Sequence, residues 1–329
     1  MEAKRITHRE RLETCLSGGI PDRTPVALWR HFPVDDQSAE GLATACLHFQ
    51  RTYDFDLVKV TPASSFSVRD WGVLDEWRGS SEGTRDYIDT VINTPSDWES
   101  LQVLDPGKGY LGEMLTCLDL LVKELGPDTP VLQTVFNPLS VAKHLAGNAR
   151  LLVHMRQYPE AVHAGLRTIT ESIQLFIEAA SKRGIAGIFY AVQHAQFGLL
   201  TEAEYRVFGQ EYDLLTLEPA QELWLNMLHM HGADIMFNLL SNYPVQVINW
   251  HDQDTPPSLA EGLACFPGVV CGGLERVKSM VLGTPEMVDF QASKAIEVSG
   301  GRRFILGTGC VLPITAPHGN ITAARHSVE

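Results

Sequence analysis

The chain has 329 residues and 44% hydrophobic content, enough for one large core, and its segment order predicts a single domain over residues 1–329. A net charge of −14 excludes general nucleic-acid binding and attachment to an anionic membrane, because both need clustered Lys and Arg. A small anionic substrate stays open, since one local cation can offset the global field. No apolar stretch approaches the ~18 residues of a membrane helix. The start, Met1-Glu2-Ala3-Lys4-Arg5, has no apolar signal core, and the six cysteines are scattered without a CxxC pair. A cytoplasmic location without a disulfide framework is the expectation.

Eight short apolar runs read as strands. In chain order they are Thr24–Leu28, Phe55–Val60, Pro130–Val135, Gly187–Val192, Trp224–Leu228, Val245–Asn249, Val269–Cys271 and Arg303–Leu306. Helical patterns fall between them. The clearest runs from about Glu160 to Lys182, where Val162, Leu166, Ile169, Ile173 and Phe176 form one stripe at i+3/i+4 spacing. Pro159 stands at its start and Gly184 just past its end, positions that favour each residue. Another opens at Thr284-Pro285-Glu286, a cap residue followed by proline, and stops at Gly300-Gly301. Strands that alternate with helices, without hairpins, predict an α/β protein of the (β/α)8 TIM-barrel type. The rival, an open doubly wound sheet, lacks its Gly-rich phosphate loop after the first strand.

In such a barrel the C-terminal strand ends face the active site. Here those ends carry Arg30, His31, Asn137, His194, His229, His231, His251, Asp252 and Cys310. The pair His229 and His231, spaced i, i+2, points to one side of an extended strand. Cys310, in Gly307-Thr308-Gly309-Cys310, arrives from a distant strand. Two imidazoles, one thiolate and an open position are the ligand set of a catalytic Zn²⁺; Glu275 is a candidate fourth ligand. His251 and Asp252 are candidates to orient or deprotonate substrate, an imidazole titrating near neutrality. Arg30 suits a bidentate grip on a carboxylate or phosphate. His31, Lys59, Asn137 and His194 are further candidate substrate contacts by strand-end or inward placement.

Four blocks carry a family resemblance. They are Arg23-Thr24-Pro25-Val26-Ala27-Leu28-Trp29-Arg30, Gly272-Gly273-Leu274-Glu275-Arg276 with Gly283-Thr284-Pro285-Glu286, Phe304 to Cys310, and Pro317-His318-Gly319-Asn320-Ile321. In these the chain resembles the uroporphyrinogen decarboxylase superfamily over nearly its whole length. One branch of that family decarboxylates porphyrinogens without metal; the resemblance places Thr61 where that branch has an aspartate, Lys143 near its tyrosine and Gly309 near its late histidine. The other branch resembles this chain more closely: zinc-dependent methyltransferases that pass a methyl group from a corrinoid to a thiol. There His229 and Cys310 match the zinc motif, and His231 stands at the position of a cysteine. The resemblance thus implies methyl transfer to a small thiol or other heteroatom, with a corrinoid as co-substrate and a corrinoid protein as partner. It also suggests a homodimer. The alternatives are decarboxylation of a porphyrinogen or other carboxylated ring, and a non-catalytic corrinoid-binding or interaction barrel.

Overall fold

Seven parallel strands form the central sheet of the protein, whose structure, a computed structural model, describes residues 6–329. Met1–Arg5, which entered the localisation reading, lie outside the described residues. The strands are β1 (Val58–Val60), β4 (Val131–Phe136), β5 (Gly187–Val192), β6 (Met227–Met230), β7 (Val247–Trp250), β8 (Val269–Leu274) and β9 (Phe304–Thr308), paired in that order. Two short strands, β2 (Asp75–Glu76) and β3 (Asp86–Tyr87), form an antiparallel hairpin between β1 and β4. The sequence reading had no hairpin there. No helix among the described residues is long and apolar enough to cross a membrane.

The first stave differs from expectation. Thr24–Leu28 makes a single parallel bridge, Val26 to Leu306, rather than a strand. Pro25 has no N–H to give, and Val26 N–H donates to the Asp56 carboxylate at 2.8 Å instead of to a ladder carbonyl. The segment still closes the barrel. Ala27 N donates to Leu306 O and Leu306 N to Pro25 O on one side, while Asp56 N donates to Val26 O on the other. Asp56 also receives Arg11, Arg23 and His8, so its fully buried carboxylate ties the first stave to the start of β1. β1 begins at Val58, two residues beyond Asp56, and not at Phe55.

Inside the barrel, Leu57, Leu132, Phe189, Met227, Val247 and Ile305 pack together, joined by Leu12 and Cys15 from the helix His8–Leu16. A second core lies between strands and outer helices. The helix Pro159–Ser181 contributes Val162, Leu166, Ile169 and Phe176 to it, as its stripe predicts. Each such side chain removed from water is worth about 1.5–3 kcal/mol, so the helices hold the strands in register and the strand ends in place.

Candidate metal centre

Strand registers decide which polar side chains meet. β6 starts later than the sequence suggests, at Met227, and includes His229; His231 follows at once, its N–H donating to Val192 O on β5. β7 ends at Trp250, which puts His251 at the next strand end, and β9 ends at Thr308, two residues before Cys310. A side chain at Gly309 would collide with Trp250 O and His251 Cα at 2.6 Å. Glycine there lets the Cys310 segment lie directly against the His251 backbone.

The result is one tight cluster. Ligand atoms of His229, His231, His251 and Cys310 all lie within 4.8 Å of one another. Cys310 Sγ is 3.5 Å from His229 Nε2 and 3.7 Å from His231 Nδ1, and His251 Nε2 is 3.5 Å from His231 Nδ1. Tetrahedral zinc with bonds of ~2.0 Å to nitrogen and ~2.3 Å to sulfur has edges of about 3.3–3.6 Å. The donor chemistry and spacing therefore fit zinc.

Burial alone would push the Cys310 thiol up. The His229 imidazole beside it and hydrogen bonds from His229, His231 and His251 outweigh that and hold it well below its ordinary range, as a thiolate. His229 is driven the other way: burial pushes its imidazole down, against the pull of Cys310. Its tautomer is set from behind. Asn249, directly opposite on β7, gives both amide hydrogens to Cys271 O at 2.9 Å and Thr308 O at 3.0 Å. Its Oδ1 is left facing His229 Nδ1 at 2.7 Å, so Nδ1 keeps its proton and Nε2, which faces Cys310 Sγ, is the nitrogen that would give up its proton to a metal.

The cluster forms one wall of a cavity of about 390 Å³, at the lower end of the ~300–1,000 Å³ typical of small-molecule sites. His229, His231 and Cys310 line it, as do Lys59, His31, Phe189 and Gln193. The hairpin insertion adds Glu82 and Thr84 to the cavity lining. Glu82 pairs with Arg276 from the loop after β8, and Ser81 O receives Ile314 N. Asp75 anchors that insertion by holding both Arg69 and Arg85.

Other residues expected at the site lie elsewhere. Arg30 donates to Ile314 O at 3.2 Å and rests its guanidinium against Phe32 and Phe49, outside the cavity lining. Asn137 caps the helix Pro138–Ala146 through Ser140 N and donates to the buried Asp213. His194 bonds Asn148 at 2.9 Å, away from the cavity, and burial pushes it down to about 3. Asp252 turns to the Gly273 N–H on β8, and burial pushes its carboxyl up to about 6. Glu275 folds back onto the N–H groups of Val277 and Ser279. His251 joins the donor cluster, where it is a fourth candidate ligand. Asn249, Phe189 and Arg276 are the parts of the site that the sequence reading did not single out.

The sequence matches the family described as uroporphyrinogen decarboxylase (URO-D) over residues 7–329. It is 22% identical over 334 residues to the methylcobamide:CoM methyltransferase MtbA of Methanosarcina acetivorans, covering 96% of this chain and 95% of that one. The protein of the same name from Methanosarcina mazei is 23% identical over 231 residues, covering 68% and 66%. Among solved structures, a methyltransferase from Methanosarcina mazei matches at TM-score 0.84 and 17% identity over 98% of both chains. A B12-independent methionine synthase from Shewanella sp. W3-18-1, in complex with selenomethionine, matches at TM-score 0.56 and 15% identity over 92% and 91%. These structural likenesses show a shared fold.

Proposed function

The chain belongs to the uroporphyrinogen decarboxylase family, and on that footing we propose that it is a zinc-dependent methyltransferase, moving a methyl group from a methylated corrinoid to a small thiol or other heteroatom nucleophile. The observation that carries this reading is the convergence of three imidazoles and one thiolate within 4.8 Å at the cavity wall. The names of the two Methanosarcina relatives agree with it. Zinc held there would lower the pKa of an incoming thiol and present it as a nucleophile at neutral pH.

The chain's own residues do the rest. Cys310 supplies the anionic donor. His229 supplies a neutral nitrogen in a fixed tautomer, and His231 a third donor. His251 stands by as the fourth; a three-protein-ligand site with an open position is the catalytic form. Phe189 packs face to face on His229 and shields it from water, with ring centroids 5.3 Å apart. The cavity takes a small acceptor, and a corrinoid would be offered at its mouth by a partner protein or from solution. Porphyrinogen decarboxylation draws less support, because Thr61 stands at the aspartate position and its hydroxyl is engaged with Lys59.

Metal analysis of purified protein tests the reading, beside loss of the methylcobalamin spectrum on adding thiol. Wild type should carry about one zinc per chain and demethylate methylcobalamin; Cys310→Ser should lose both. Equal and negligible zinc in the two proteins would overturn it.

A further inference from the structure

A second cavity lies apart from the donor cluster. It has a volume of about 420 Å³, shares no lining residue with the cavity at the cluster, and is built by the chain after β5, β6 and β7. Its apolar lining includes the buried Met236 and Leu239. Three carboxylates also line it, Glu202, Asp234 and Glu261, and no Lys, Arg or His does. Two of the three are engaged: Glu202 with Arg206 at 2.8 Å, and Glu261 with the N–H and hydroxyl of Ser258. The Asp234 carboxylate has no partner among the described residues, although its backbone N–H donates to the Thr255 hydroxyl at 3.1 Å.

Backbone pairing sets an aromatic ring beside that carboxylate. Gln196 and Ile235 form an antiparallel bridge, and Phe197 N–H donates to Asp234 O at 2.9 Å. Phe197 and Asp234 are therefore the next pair across, where side chains are neighbours, and both line the cavity. Phe197 is 51% exposed, so its ring is open to a guest. An open ring and a free carboxylate attract the same kind of guest. The ring quadrupole draws a cation to its face, and the carboxylate accepts the cation's N–H groups. The apolar lining takes the carbon body attached to it.

We propose that this cavity is a binding site for an organic ammonium ion, an amine carried on an apolar body about the size of one ring. The ammonium sits between Phe197 and Asp234, and Glu202 and Glu261 add attraction at longer range. A carboxylate of the same shape meets three like charges and is rejected. The site needs neither a metal nor methyl transfer, so it stands independently of the reading given to the donor cluster.

Cys265 gives the test a handle, because it lines this cavity and is exposed while the other five cysteines are buried. Alkylation of Cys265 by iodoacetamide near neutral pH, followed by mass spectrometry of the intact chain, should be slowed by phenethylamine in a saturable way. The same concentrations of 3-phenylpropionate, which keeps the ring and reverses the charge, should not slow it. Asp234→Asn should weaken the phenethylamine effect about fivefold, the upper worth of an exposed ion pair. Asparagine tolerates the left-handed backbone at this position, φ 52°, so the variant keeps the loop. Saturation-transfer NMR reads the same binding without the thiol reaction. Wild type should pass saturation to the phenethylamine ring protons, and protein already blocked at Cys265 with N-ethylmaleimide should not. Equal binding of the amine and the carboxylate, no transfer to the amine, or unchanged affinity in Asp234→Asn would overturn the assignment.

Discussion

Asn249→Leu changes a side chain that orients a candidate ligand from behind, through the ring nitrogen turned away from Cys310. In the native protein Asn249 receives the His229 Nδ1 proton and donates to two carbonyls on β8 and β9. Leucine matches its size and removes all three hydrogen bonds. Loss of a partner that fixes a ligand's tautomer typically costs about 10- to 100-fold in metal affinity, which is about 1.4–2.7 kcal/mol. Separately, Cys271 O and Thr308 O lose buried donors, at about 1–3 kcal/mol each. The two effects are measured apart: zinc affinity by competition with a chromophoric chelator near neutral pH, and folding stability by urea titration of the metal-free proteins. Asn249→Asp sharpens the comparison. Its carboxylate still accepts from His229 but cannot donate to the carbonyls, so it should lose stability while binding zinc at least as tightly as wild type. If Asn249→Leu is destabilised yet binds zinc within about twofold of wild type, the tautomer argument is wrong and Asn249 merely holds the strands together.

Two further outcomes follow from the fold. Asp56→Asn leaves the buried Arg11 with only the exposed Asp22 as its anion and Arg23 with none of its own, and should cost up to about 3–5 kcal/mol in urea unfolding. Burial would raise the Asp56 carboxyl, but His8 and Arg23 bring it down to about 2, below its unfolded value of ~3.9. Its contribution is therefore full above pH ~4 and fades as pH falls through about 2; the Asp56→Asn variant should show a flatter acid limb over that window in stability-versus-pH measurements. Arg30→Met should leave KM for the methyl acceptor within about twofold of wild type, because the Arg30 guanidinium packs on Phe32 and Phe49 outside the cavity.

The barrel was legible in the sequence because its signals are local. Alternating apolar runs and helical stripes each declare themselves within a dozen residues, and the helix at Pro159–Ser181 has the boundaries its proline and glycine announce. The first stave was overread for a reason of the same kind. Val26 looks like strand, but its N–H is taken by Asp56 from 30 residues away, and no pattern around Val26 records that. The hairpin at β2 and β3 was missed because two residues per strand are too short for any alternation to appear.

At the site, the convergence of His229, His231 and Cys310 was readable because few structural roles call for His-x-His together with a cysteine in a glycine-rich strand end. Arg30, Asn137, His194 and Asp252 were overread because strand ends of a barrel also carry polar residues that cap helices and pin loops. Asn137 caps, Asp252 pins a strand-end N–H, and both use the same residue types that catalysis uses. Sequence spacing separates these roles poorly, since each needs only a polar atom at a strand terminus. His251 was read as a base, and its ring nitrogen, 3.5 Å from His231 Nδ1, also places it within the donor cluster. Asn249 left no trace at all, because a buried asparagine facing a histidine across neighbouring strands is defined by register, and register belongs to the pair of strands and to neither sequence segment alone.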